Sequence, residues 1–277
     1  MDLNFDQYVR RAKDGDLQAL EKIVYGIQDK IYGLAFRMLA HQEDAEDETQ
    51  EILIKVITHL SDFREESAFT TWTYRIACNH LLTARKKRAE QMGLSFDFME
   101  ESVYAGLKNV EPLIVSGPEW DVLLEETRVG CMQGALVCLK REVRIVVILA
   151  EQYGVTSKEG AFILDINPEL FRKRLSRGKK SLQDFMRKNC GLVNNDNPCR
   201  CHKQAGGRLK NGLIDMTLVK KENASKGRSE AVTQLKELDE IDRTLAMYRR
   251  YPEYNTPDSF IHIIKNLITT GRYSVFS

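Results

Sequence analysis

The chain has 277 residues with 41 basic and 40 acidic side chains, for a net charge of +1 at neutral pH. That length allows two or three small domains with their own cores, and the even balance excludes a global electrostatic field, so any nucleic-acid binding must use local basic patches. No apolar run approaches the ~20 residues of a bilayer span and the start is no signal peptide, so we expect a cytoplasmic chain without membrane insertion, its six cysteines free thiols.

Taken in order, Phe5, Tyr8, Val9 and Ala12 predict a first helix, which stops at Asp14-Gly15. Asp16 then caps a longer one running through Leu20, Ile23, Ile27, Ile31, Leu34 and Met38. The stretch from His41 to Arg88 organises the rest. Ala45, Ile52, Leu53, Val56, Ile57 and Leu60 recur at helical spacing, with Asp47, Gln50, Glu51 and Lys55 on the outer face. A loop follows, with Arg64, Ser67 and Phe69, and a second helix is expected from Trp72, capped by Thr71. It carries Arg75 and Asn79 and ends in Arg85, Lys86, Lys87 and Arg88. Aromatic faces stack on unpaired bases while Lys and Arg hold phosphates, a combination suited to single-stranded nucleic acid. The plainer alternative is a core Trp72 and a solvated basic helix end.

Residues 91–118 hold glycines, prolines and many acids, and read as a mobile linker. Helical patterning resumes at Glu119, and a strongly apolar helix from Val143 stops at Gly154. Thr156-Ser157-Lys158-Glu159 is a capping box opening a short helix. Asp165 to Asn167 turn the chain, and Asn167 with Pro168 starts a basic helix. Short helix, tight turn and basic helix form a helix-turn-helix, whose second helix enters a DNA major groove. There Glu169 could accept from cytosine and Lys173 or Arg177 donate to guanine, while Arg172, Arg174 and Lys180 reach phosphates.

Cys190, Cys199, Cys201 and His202 are of zinc-ligand type, but C-x8-C-x-C-H is not a standard spacing. A thiol-bearing cap on the preceding helix is the favoured reading, with no metal and no cofactor expected. A Gly/Lys-rich connector beyond Lys203 precedes two amphipathic patterns, one through Ala231, Leu238, Leu245 and Tyr248, the other from about Pro257. Their apolar faces need cover, from this chain as a packing appendage or as a regulatory module.

The segments DAEDETQEILIKV, FREESAFTTWTYRIACNHLL and RKKR resemble region 2 of an extracytoplasmic-function (ECF) sigma factor of bacterial RNA polymerase. The block from Cys138 to Leu182, with its RLSRGKK end, resembles sigma region 4 more loosely, since Gly160 stands where the family prefers a larger residue. The resemblance implies an all-α protein in four parts: residues 1–90 as region 2, 91–118 as the linker, 119–189 as the region 4 helix-turn-helix, and 190–277 as an extension outside the family pattern. It implies core RNA polymerase and promoter DNA, duplex and melted, as partners, with an anti-sigma factor possible. Asp47, Gln50 and Glu51 would face polymerase. Arg64, Ser67, Phe69, Trp72, Arg75, Asn79, Arg85, Lys86, Lys87 and Arg88 would lie at or near the melted −10 strand, some only as supports for the loop. Glu169, Leu170, Arg172, Lys173, Arg174, Arg177 and Lys180 would face the −35 duplex. The linker acids would mimic nucleic-acid charge in a polymerase channel. No catalytic constellation is visible, so an enzyme is not expected; a standalone helix-turn-helix regulator is the competing class.

Overall fold

The computed structural model describes residues 5–85, 88–108, 118–210, 240–249 and 254–256. The fold is all-α. Among the described residues there is no strand, only an isolated parallel bridge between Cys190 and Cys199. The helices are α1 (Phe5–Lys13), α2 (Leu17–Leu39), α3 (Gln42–Thr58), α4 (Phe69–Thr83), α5 (Arg88–Gln91), α6 (Phe96–Lys108), α7 (Pro118–Val137), α8 (Arg141–Glu151), α9 (Ser157–Leu164), α10 (Pro168–Asn189), α11 (Cys201–Lys210) and α12 (Glu240–Arg249). None is long and apolar enough to cross a membrane. Two compact units do not follow chain order: one holds residues 1–91, 155–171 and 253–277, the other 92–154 and 172–252.

In the first unit, Asp16 starts α2 as expected, its carboxylate accepting from the Gln18 and Ala19 amides at 2.9 and 3.0 Å. Ile23, Ile27, Ile31, Leu34 and Met38 on α2 and Ile52, Leu53 and Val56 on α3 are all buried. Full burial of such side chains stabilises by roughly 1.5–3 kcal/mol each. Helix α4 departs from expectation. It begins at Phe69 behind Ala68, with no side-chain cap, rather than at Trp72 behind Thr71. The cause is packing: the buried Phe69 ring lies 5.3, 5.4 and 5.6 Å from those of Phe5, Phe63 and Trp72, which fixes the helix start earlier than the capping residue alone would.

The same unit contains α9 and its turn. Thr156 and Glu159 form the capping box, with the Glu159 amide donating to Thr156 Oγ1 and the Thr156 amide donating to Glu159 Oε2. Asp165 closes α9 in the left-handed region at φ 53°. The Ile166 amide donates to the Ala161 carbonyl at 3.0 Å, a Schellman closure with Asp in place of the usual Gly. Asn167 caps α10, its Oδ1 accepting from the Leu170 amide at 2.7 Å. Gly160, the departure from the family pattern, is explained by close approach: a Cβ there would meet the Phe171 ring at 2.1 Å.

In the second unit, the stretch read as a mobile linker carries α6. Phe96, Met99 and Val103 form a helical stripe; the last two are buried, and Phe96 packs on Phe185 at 5.3 Å. The start of the supposed Gly-rich connector is likewise helical. Ala205 of α11 is buried with Leu123 of α7, and Gln204 donates to the Val103 carbonyl of α6 at 2.8 Å. Tertiary cover outweighs the low helix propensity of Gly206 and Gly207. The tight corner between α7 and α8 is held by buried Arg144, whose guanidinium donates to the carbonyls of Leu136, Val137 and Leu139 at 3.0, 2.8 and 2.9 Å. Those groups would otherwise be unsatisfied helix-end acceptors. Helix α10 crosses α8 at Gly178, where a Cβ would lie 2.4 Å from Val147 Cγ2. Of the tail, α12 belongs here, with Tyr248 fully buried and donating to the Met132 carbonyl at 3.2 Å. The second tail pattern, from Pro257, lies outside the described residues.

Candidate nucleic-acid interface

Helix α3 presents two chemically distinct faces. Asp47 and Glu51 are exposed and Gln50 half-buried, opposite the buried Ile52, Leu53, Val56 and Ile57. The Glu48 carboxylate, set within the apolar stripe, is buried and pairs with His80 Nε2 of α4. His80 Nδ1 lies 2.7 Å from Lys55 Nζ. This Glu48–His80–Lys55 line was not foreseen; its signal is an acidic residue at a core position of an amphipathic helix.

The loop and α4 divide the expected −10 residues by burial. Arg64, Asn79 and Arg85 are exposed, and Ser67 and Trp72 half-buried. Phe69 is only 2% exposed, so it supports the loop from inside and offers no stacking surface. Phe63 also lies inside, its carbonyl accepting from Lys13 Nζ. At the loop's Glu65, Arg10 of α1 forms a 2.7 Å ion pair that holds the carboxyl below its ordinary range. Arg75 is engaged with the helix-turn-helix: Nη1 donates to the Phe162 carbonyl at 3.0 Å, Nη2 meets Asp165 Oδ1 at 3.3 Å, and the guanidinium lies 5.1 Å from the Phe162 ring centre. Phe162 and Asp165 were not expected to matter; an apolar Phe on the polar face of α9 was the available signal. Lys86 and Lys87 lie outside the described residues, and Arg88 falls in α5.

Along α10, Glu169, Arg172, Lys173, Arg177 and Lys180 are exposed, and Leu170 and Arg174 half-buried. Glu169, Lys173 and Arg177 follow one another at four-residue intervals on one face. Lys179 turns inward to Glu151 of α8 at 3.0 Å, a carboxylate shared with Arg249 of α12 at 2.8 Å.

Among the described residues no group of three His, Cys, Asp or Glu side chains is placed to hold a metal ion. Cys190, Cys199 and Cys201 do converge, joined by Cys131 of α7, around a cavity of about 30 Å³, while His202 is exposed and does not line it. Burial pushes the Cys190 thiol up to about 11 and those of Cys199 and Cys201 to about 12. Thiols held protonated at neutral pH behave as small apolar groups. The segment therefore packs beneath α6 and α7 as a cap to α10, and Cys131 is the member that sequence spacing did not reveal.

The family model for Sigma-70 region 2 matches residues 26–91. The RNA polymerase sigma-H factor of Pseudomonas aeruginosa is 32% identical over 190 residues, spanning 65% of this chain and 95% of the relative. The ECF RNA polymerase sigma factor SigW of Bacillus subtilis is 29% identical over 189 residues, 68% of this chain and 99% of the relative. The ECF RNA polymerase sigma-E factor of Escherichia coli is 31% identical over 180 residues, 64% of this chain and 91% of the relative.

Proposed function

Because the chain belongs to the sigma-70 family, as an RNA polymerase sigma factor of the ECF type acting in transcription initiation, we propose how its surfaces divide that work. Asp47, Gln50 and Glu51 meet core RNA polymerase. Arg64, Ser67, Trp72, Arg75, Asn79 and the basic residues 85–88 meet the melted −10 strand, with Phe69 as the internal support. Glu169 with Lys173 or Arg177 reads the −35 duplex while Arg172, Arg174 and Lys180 grip it. In domain terms, residues 1–90 act as region 2 and 119–189 as region 4. An anti-sigma factor would be a protein that covers the α3 or α4 surface.

The observation that supports this reading most directly is the two-faced α3. Its polar outer face is displayed by a buried apolar stripe, so it is available to a partner without loss of core. The test is a titration of core RNA polymerase with the Asp47→Ala/Gln50→Ala double variant. Folding stability should stay within about 0.5 kcal/mol, as for surface changes in general, while core affinity falls at least severalfold. Unchanged affinity would remove α3 from the polymerase interface.

A further inference from the structure

Six cysteines are free, and four of them gather in one place. Cys131 of α7, Cys190 directly after α10, Cys199 in the loop that follows and Cys201 at the start of α11 ring the cavity of about 30 Å³. The backbone builds this approach. Cys190 and Cys199 form the parallel bridge, the Asn197 side chain donates to the Cys190 carbonyl at 3.2 Å, and a Cβ on Gly191 would collide with the Cys199 carbonyl.

Each of the four sulfurs also accepts a hydrogen bond. The Leu192 and Val193 amides donate to Cys190, Gln204 to Cys199, Arg128 to Cys201, and Arg208 Nη2 to Cys131 at 3.2 Å. Cys138, outside the cluster, does the opposite: its Sγ donates to the Gly134 carbonyl at 3.2 Å, as a plain thiol does. N–H donors aimed at sulfur, two of them on guanidiniums that can only donate, match thiolates rather than thiols. Asn189 adds an independent observation. It is 3% exposed and lines the same cavity, but its Oδ1 has no partner. A buried carbonyl left so is costly unless a donor or a cation stands before it.

We infer that Cys131, Cys190, Cys199 and Cys201 form a structural zinc site. Four thiolates with no open position are a closed, tetrahedral set, and a cavity of this size has room for a water-sized particle, so one ion fits. The sulfurs ring the cavity without closing on a common centre. Zn–S bonds of about 2.3 Å set neighbouring sulfurs about 3.8 Å apart, so binding draws them inward. One zinc ion displaces the four S–H protons to solvent and leaves net negative charge on the sulfurs. Arg208 and Arg128, the latter also paired with Glu125, lie against that charge. A disulfide would leave the sulfurs no negative charge for these donors to meet. The consequence is mechanical: the ion ties α7 to the end of α10 and the start of α11, all within the second unit, and its binding free energy becomes folding free energy of that unit.

The test uses the full chain, purified without a polyhistidine tag, and two readouts. Zinc content is measured by inductively coupled plasma mass spectrometry, and the absorption spectrum is recorded after cobalt(II) is added to the metal-stripped protein. One zinc per chain and the sulfur-to-cobalt charge-transfer bands of a tetrathiolate are expected. Cys131→Ser should lower the charge-transfer intensity by about a quarter, one thiolate of four, while Cys138→Ser and His202→Ala match the parent. Arg208→Ala keeps all four ligands and should weaken zinc, titrated against a competing chelator, by about 10–100-fold. No bound zinc and no charge-transfer bands in the parent overturn the site, whatever the variants do. A Cys131→Ser spectrum identical to the parent's overturns this ligand set. A count of reactive thiols two short of six, with no metal bound, overturns it in favour of a disulfide.

Discussion

Helices α3 and α10 make an informative pair. Each is amphipathic and each displays charge of one dominant sign, acidic on α3 and basic on α10. Each also pairs a charged side chain inward: Glu48 with His80 on α3, and Lys179 with Glu151 on α10. The difference lies in how the inward pair is enclosed. Glu48 and His80 have side chains only 9% and 12% exposed, whereas Lys179 is 28% exposed and shares Glu151 with the 57% exposed Arg249. The acidic helix is thus fixed by a sealed polar contact, the basic helix by a steric one at Gly178 with an ion pair at its rim. A display face needs a rigid back, and the two helices reach rigidity by different physics.

The largest expected effect breaks that contrast directly. Glu48→Ala leaves a nearly buried imidazole short of a partner and should lower stability by about 1–3 kcal/mol. Glu151→Ala leaves Lys179 and Arg249 able to reach water and should cost less than about 1 kcal/mol. Denaturant midpoints of the two variants measure the difference, and equal losses would mean that enclosure does not separate the helices. A smaller effect concerns the outward charges of α10. Lys180→Ala should leave stability unchanged and reduce the slope of log affinity against log salt for duplex DNA by about 1. An unaltered slope would place Lys180 away from the phosphates.

The smallest effect sharpens the comparison with a charge that is spent locally. At the start of α9, the Thr156 hydroxyl and backbone amide hold the Glu159 carboxyl below its ordinary value of 4.5. A depressed carboxyl contributes stability that is fully present above that ordinary value and is lost as pH falls through the folded one. Thr156→Val should therefore raise the Glu159 pKa towards the ordinary value and flatten the acid-side decline; an NMR titration of the Glu159 side chain reads it. No movement would mean that the capping box does not perturb the carboxyl.

How much of this was legible in the sequence depends on the range of the deciding contact. The N-cap at Asp16, the stripe of α3, the capping box at Thr156 and the Asn167-Pro168 start of α10 are local signals within a turn or two, and all appear in the structure. The start of α4 is not a local signal, because Phe5, from the other end of the unit, decides it. Helices α6 and α11 look like linker and connector in sequence because their glycines and acids dominate short windows. What folds them is mutual cover and the Gln204–Val103 bond, formed across 101 residues. For the site, exposure of the α3 and α10 charges followed from helical periodicity alone. The engagement of Arg75 by Phe162 and Asp165 did not, since nothing within a helical turn of Arg75 points to residues 87 and 90 positions away.

One contact of the extension has a consequence in time. Thr256 donates through its amide and hydroxyl to Asp29 of α2 at 2.9 and 2.7 Å, and the Tyr254 ring lies 4.5 Å from that of Phe36. Donor and acceptor are 227 residues apart in the chain. At a bacterial synthesis rate of roughly 5–20 residues per second, α2 is complete some 10–50 s before its cover emerges from the ribosome. For that interval the nascent first unit carries an open Phe36–Asp29 edge, and a newly made chain is chemically a different surface from a finished one.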